Sequence, residues 1–85
     1  MKIKTTRRFD RDYARLPIEI KDLFDRKLKL FFKNLNHPSL RVKKMVGHPN
    51  IWEASITMQY RFTFEIHSDF YIFRRIGTHD VLNIP

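Results

Sequence analysis

The chain has 85 residues, no cysteine and a formal charge of +8 at pH 7, a size that fits one domain spanning residues 1–85. The lack of cysteine excludes disulfides and thiolate metal sites. The N-terminal residues contain no apolar signal-peptide region, and no apolar run reaches the roughly 18 residues of a membrane span, so we expect a cytoplasmic protein that does not engage a membrane. Taken alone, a positive charge of this size is compatible with nucleic acid, an anionic membrane surface or an acidic protein as partner.

The first 36 residues predict a short strand followed by two helices. Residues 2–5 can form a strand, and apolar residues at helical spacing predict a first helix from about Thr6 to Leu16. Pro17 suits the first turn of a second, amphipathic helix of about 18 residues. This helix is expected to end near Asn36, before the His37-Pro38 break.

Alternating apolar and polar residues in the rest of the chain are typical of β-strands. The alternating segments are residues 40–46, 52–58 and 61–66, and residues 70–76 are apolar on both faces except for two arginines. The sequence therefore predicts an α+β fold of order β-α-α-β-β-β. Its twisted, mainly antiparallel sheet is expected to carry two helices packed on one face.

Basic residues are distributed unevenly along the chain. The first 44 residues hold 14 of the 17 lysines and arginines against five acids, a net +9, whereas residues 45–85 hold three arginines against four acids. Those three, Arg61, Arg74 and Arg75, lie in apolar strand sequence. Arginines held by a sheet suggest a preorganised site for an anion such as phosphate, and pairing with carboxylates is the structural alternative.

The parity of paired strands predicts which side chains share a face. Short turns at 58–60 and 67–69 place Thr57 opposite Arg61 and Arg61 opposite Arg75, and a loop at 47–51 places Lys43 by Ser55. Facing arginines repel unless an anion or a carboxylate such as Glu53 or Glu65 lies between them. The face away from the helices is then expected to present Arg41, Lys43, Ser55, Thr57, Arg61 and Arg75, with Tyr71 and Phe73 as exposed aromatics. Basic and aromatic groups on one face favour single-stranded RNA as ligand.

His79 is the histidine that we single out, because Gly77-Thr78 places it just beyond the arginine-containing strand. Imidazole can exchange a proton near neutral pH. A role in a turn is the alternative. No two histidines have metal-ligand spacing, so we expect neither a metal nor another cofactor.

Four segments resemble, in order, the RelE/ParE superfamily of bacterial toxin–antitoxin toxins: Ser39 to Lys44, Ile51 to Ala54, Tyr60 to Phe64 and Arg74 to Leu82. The resemblance implies the β-α-α-β-β-β fold, a cognate antitoxin that wraps around the toxin, and a metal-independent endoribonuclease that cuts mRNA in the ribosomal A site. The Arg-x-Gly-Thr-His segment is similar to that of the YafQ-like branch. This similarity implies phosphate binding by Arg75 and catalysis by His79.

The Tyr-Arg segment resembles the RelE branch and implies that Arg61 stabilises charge at the scissile phosphate. The expected RNA-binding residues are Arg41, Lys43, Lys44, Arg74, Tyr71 and Phe73. Ser55 and Gln59 stand where the YafQ-like branch carries a further histidine and aspartate, and Asn83 stands where an aromatic residue is expected. Three functions therefore stay open: cleavage by attack of the RNA 2′-hydroxyl, gyrase inhibition of the ParE type, and binding of RNA or antitoxin without cleavage.

Overall fold

A five-stranded mixed sheet forms one layer of the computed structural model, which describes residues 2–85. Its strands are β1 (Lys2–Thr5), β2 (Lys43–Lys44), β3 (Trp52–Ser55), β4 (Tyr60–Ile66) and β5 (Phe70–Thr78), in the spatial order β1-β5-β4-β3-β2. β1 pairs with β5 in parallel, and the other pairings are antiparallel. The predicted α+β class and order β-α-α-β-β-β are confirmed, with β2 reduced to a two-residue edge strand.

Two helices, α1 (Arg7–Ala14) and α2 (Ile18–Lys33), cover one face of the sheet. Thr6 caps α1, because its hydroxyl accepts from the Phe9 N–H and donates to the Arg74 carbonyl. Pro17 precedes α2 with φ −56°, close to the helical value. Both predicted helices are present and end slightly earlier than predicted. Neither helix, within the part of the chain described, is long and apolar enough to cross a membrane.

Phenylalanine rings fill the space between the helices and the sheet. Phe31 of α2 is 1% exposed, and its ring centroid lies 5.0 Å from that of Phe64 and 5.5 Å from that of Phe73. Phe9 brings α1 into the same cluster, with its ring centroid 5.6 Å from that of Phe73. This aromatic core holds both helices in place on the sheet.

The pairing of β4 with β5 differs from the predicted register. Arg61 lies opposite Gly77 and Thr63 lies opposite Arg75, so the predicted direct pairing of the two arginines is wrong. The pairing next to the hairpin turn is shifted by one residue from the predicted register, and a bulge in β5 shifts it by one more. The two shifts together place Gly77 opposite Arg61, where Arg75 was predicted. Arg61 and Arg75 still share a sheet face, because Arg75 opposes Thr63, two residues from Arg61 on β4.

The bulge also decides which aromatic side chains of β5 are buried. Arg74 and Arg75 both lie between Phe73 and Ile76, which are each 1% exposed. If side chains alternated strictly along β5 from Arg75, Tyr71 and Phe73 would lie on the face away from the helices. The extra residue in the bulge shifts this alternation by one, so both side chains lie on the helix-covered face. Tyr71 is 9% exposed and packs against α2. The prediction that Tyr71 and Phe73 are exposed on the face away from the helices is therefore wrong.

The register of β3 is also shifted, because the turn that follows it covers residues 56–59. The Ile56 and Thr57 N–H groups both donate to the Tyr60 carbonyl, which closes this turn. Arg61 consequently lies opposite Ser55 instead of Thr57. On the other edge of β3, Lys43 lies opposite Glu53 instead of Ser55. Both predicted pairings are wrong by two residues, so they leave the assignment of faces unchanged.

The C-terminal residues lie across the outer face, which we define as the sheet face that carries Glu53, Ser55, Arg61, Thr63 and Arg75. A 3-10 helix covers His79–Asn83, and both Val81 and Pro85 are buried. The Thr63 hydroxyl, which is fully buried, donates to the Pro85 carbonyl. Part of the outer face is therefore covered by the chain itself.

Candidate functional site

Arg61 forms an ion pair on the outer face. Its Nη1 lies 3.3 Å from Oε1 of Glu53, and its Nε and Nη2 donate to the Met58 carbonyl. The two side chains of the pair are only 13% and 7% exposed. Lys43 Nζ lies 3.9 Å from the same Glu53 oxygen, so two cations share one carboxylate. The group keeps one net positive charge, and the 70% exposed Lys43 presents it to solvent.

Arg75 is held by a carboxylate of α1. Its Nε and Nη2 lie 2.7 Å and 3.3 Å from the two oxygens of Asp12, and its Nη1 donates to the Ile84 carbonyl. Asp12 also accepts from the Ile76 N–H, at the part of β5 that β1 does not reach. Three of the five guanidinium N–H groups are used, which leaves two for another acceptor.

Arg74 belongs to a separate cluster around Glu65. Its Nη1 donates to Glu65 Oε2 and its Nε to the Pro85 carbonyl, while the other Glu65 oxygen lies 2.8 Å from Nε2 of His67. Burial alone would raise the pKa of Glu65, but hydrogen bonds from His67 and Arg74 outweigh it and hold this pKa below its ordinary value.

The lowered pKa of Glu65 predicts an acid dependence of stability. Because the native state binds this proton less readily than the unfolded state does, the stabilisation is present above the ordinary value of 4.5 and is lost as pH falls through the native pKa. Urea unfolding at decreasing pH should show this loss. A Glu65→Gln variant should start less stable at neutral pH and lose less on acidification. Parallel curves for the two proteins would contradict the assignment.

His79 begins the C-terminal 3-10 helix and is exposed. Its imidazole makes no hydrogen bond within residues 2–85. Its neighbours Thr78 and Asp80 line a cleft of about 320 Å³ together with Tyr60 and Arg75, but the His79 side chain is not part of the lining. The imidazole therefore faces solvent beside this cleft.

The predicted site residues are only partly brought together. Arg61 and Arg75 share the outer face, but each binds its own carboxylate, as in the pairing alternative. Arg41 is exposed at φ 48°, with Nη1 3.3 Å from the Met58 sulfur. Lys44 is exposed with Lys43 on the edge strand β2. No group of three His, Asp or Glu side chains in residues 2–85 is arranged to hold a metal ion.

Three further arginines, which were not among the predicted site residues, lie beside Arg75. Arg8, Arg11 and Arg15, which we call the arginine row, are exposed and line a cleft of about 250 Å³ with Asp12 and Arg75. Their spacing of three and four residues in a predicted helix indicates that they share one side of it. A third cleft, of about 280 Å³, brings His48 beside Arg8, Arg74 and Arg75. Arg75 thus lines all three clefts.

No protein-family model and no curated protein sequence matches the chain, whereas solved structures match nearly all of it. YafQ from E. coli has a TM-score of 0.78 at 14% identity, with 95% of this chain and 96% of that chain covered. A chain of the RelB-RelE antitoxin-toxin complex from Methanococcus jannaschii has a TM-score of 0.77 at 22% identity, with 95% of both chains covered. The YoeB/ParE toxin from Agrobacterium tumefaciens has a TM-score of 0.79 at 15% identity, with 93% of this chain and 99% of that chain covered. The resemblance to the RelE/ParE superfamily is confirmed at the level of the fold: the chain has the architecture of these toxins.

Proposed function

We propose that the chain is the toxin of a toxin–antitoxin pair and that it acts in the cytoplasm as a metal-independent endoribonuclease on mRNA at the ribosome. The observation that carries this proposal is the end of β5. There, on a fold shared with YafQ and RelE, Arg75 lines three clefts, two of which are rich in arginine, and an exposed histidine follows four residues later. Fold alone does not decide between functions, so the proposal rests on this local chemistry.

In the proposed reaction the RNA provides its own nucleophile. The 2′-hydroxyl oxygen bonds to the adjacent phosphorus, the bond from phosphorus to the 5′-oxygen breaks, and a 2′,3′-cyclic phosphate and a 5′-hydroxyl result. His79 takes the 2′-hydroxyl proton, and the leaving oxygen takes a proton from water. Arg75, through its two unused N–H groups, and Arg61 stabilise the charge that develops on the phosphate oxygens.

Binding of the message is assigned to the exposed cations Arg41, Lys43 and Lys44 and to the half-buried Arg74. The partner that neutralises the toxin is proposed to be an antitoxin, acidic or amphipathic in character, since the chain carries +8. Several of the similar structures are toxin–antitoxin complexes, among them RelB-RelE and DinJ-YafQ, which supports a partner of this kind.

A second candidate is a protein of the same fold that binds RNA or antitoxin without cutting. The observation in its favour is that Arg61, Arg74 and Arg75 are each bound to a carboxylate. In such a protein the three ion pairs stabilise the fold. A phosphate would bind weakly there, because it would have to compete with the carboxylates for the arginines. A ParE-like gyrase inhibitor remains a third outcome of the test below.

The test is to induce the protein in cells and to map mRNA 5′ ends by primer extension. We expect new ends in register with the reading frame, because a nuclease in the ribosomal A site cuts at a fixed position within the codon that lies there. Plasmid supercoiling measured in the same cultures should be unchanged. Intact mRNA with blocked supercoiling would instead identify a gyrase inhibitor, and intact mRNA with normal supercoiling would identify a protein that does not cleave.

A further inference from the structure

The arginine row lies on one side of the first helical segment. Arg8 is in the first turn of α1, Arg11 is in its last turn, and Arg15 is its C-cap residue. At about 1.5 Å of rise per residue, they form a line of about 10 Å along the helix axis. The cleft that they line is open to solvent, since all three side chains are exposed.

This row is not explained by pairing within the chain. Asp12, the one acidic residue of the cleft, uses both oxygens on Arg75. Arg8, Arg11 and Arg15 make no side-chain hydrogen bond or ion pair within residues 2–85. Like charges three and four residues apart on a helix repel. The arrangement therefore costs stability in the isolated protein.

The helix dipole accounts for only part of the row. Cations are favourable at the C-terminal end of a helix, where Arg11 and Arg15 lie, and unfavourable at the N-terminal end, where Arg8 lies. Arg8 is thus placed against the local field of its own helix. An anion bound along the whole row would offset both the repulsion among the arginines and the unfavourable interaction of Arg8 with the helix dipole.

A linear polyanion fits this row better than a compact ion does, and the adjoining cleft indicates which kind. Arg15 and Arg75 also line the cleft of about 320 Å³. Its lining includes Tyr60 and the apolar Leu16 and Pro17, together with the carboxylates Asp12 and Asp80. A cationic row beside an aromatic and apolar wall is the combination that binds the backbone and bases of single-stranded nucleic acid.

We propose that the arginine row, with Tyr60 beside it, is a second binding track for single-stranded RNA, reached through α1 instead of the sheet. The inference rests on the proposed action on RNA, and it assigns to α1 a role that the outer face alone does not supply. The track leads past Arg75 to Thr78 and Asp80, which flank His79. An RNA strand bound along α1 is thereby guided to the proposed cutting position.

The test measures the affinity of the intact protein for a short, fluorescein-labelled single-stranded oligoribonucleotide by anisotropy at several salt concentrations. For single strands the slope of log K against log salt is about −0.7 per neutralised phosphate. Arg8→Gln, Arg11→Gln and Arg15→Gln should each weaken binding and make the slope shallower by about 0.7.

The matched controls are Lys29→Gln and Lys33→Gln, which remove the same charge from exposed positions of α2. They should leave the slope unchanged. The proposal is overturned if the three arginine variants behave like these controls. It is also overturned if they lose affinity for a labelled polyglutamate peptide but not for RNA, because the row would then serve an acidic protein.

This outcome is separable from that of the cleavage assay. If the arginine variants bind RNA as tightly as the wild type, and the wild type cuts mRNA, the α1 track is excluded and the proposed nuclease activity stands. Weakened RNA binding in the variants together with intact mRNA in cells would keep the track and remove the nuclease.

Discussion

Replacing His79 with alanine should lower the rate of RNA cleavage by about 10²–10⁴-fold, the usual contribution of a general acid or base. The side chain is exposed and has no hydrogen-bond partner within residues 2–85, so the free energy of unfolding should change by no more than about 0.5 kcal/mol. Single-turnover cleavage of an mRNA on purified ribosomes measures the rate, and urea unfolding measures the stability.

A His37→Ala variant provides the matched control, since it removes an imidazole from the loop after α2, where His37 bonds to Ser39. Its cleavage rate should equal that of the wild type. A well-folded His79→Ala protein that cuts at the wild-type rate would exclude His79 as the proton acceptor. Arg75 is a poorer first target, because its removal also releases Asp12 and loosens α1 from β5.

Replacing Phe31 with alanine should lower the free energy of unfolding by about 3–5 kcal/mol, the range for a buried phenylalanine. Phe31 is 1% exposed, and its ring contacts rings of both β4 and β5. The cavity opens in the middle of the aromatic core, where helix and sheet meet. The free energy of unfolding of a domain is typically only about 5–15 kcal/mol. This one change should therefore remove a large part of the stability of the protein.

Phe32 is the internal control for this measurement. It is the next residue of the same helix and carries the same side chain, but it is 49% exposed. Urea unfolding should show a much smaller loss for Phe32→Ala than for Phe31→Ala. Equal losses at the two positions would contradict the assignment of Phe31 to the core.

The predictions that were confirmed depend on local patterns. Apolar spacing located both helices, and alternation located the strands, because each pattern follows from the geometry of a single element. Pro17 marked the start of α2 for the same kind of reason, since a fixed φ acts on the residue itself. The resemblance carried by the segment from Arg74 to Leu82 then indicated the fold that the solved structures share.

The predictions that were wrong depend on how strands pair. One extra residue in the β5 bulge moved Tyr71 and Phe73 into the core and separated Arg61 from direct opposition to Arg75. Nothing in the alternation around residues 70–76 indicates this bulge, because both faces of the strand read as apolar apart from the arginines. The β3–β4 turn shifted the pairing of Ser55 in the same way.

The class of fold, the helices and the excess of positive charge in the first 44 residues can be read from the amino-acid order alone, since these follow from neighbouring residues and simple counts. Which charges meet depends on how the chain packs. Asp12 and Arg75 are 63 residues apart in the chain, and their contact exists only because α1 lies against the end of β5. The same packing places the arginine row beside Arg75, since a site built from distant segments is created by the folding of the chain as a whole.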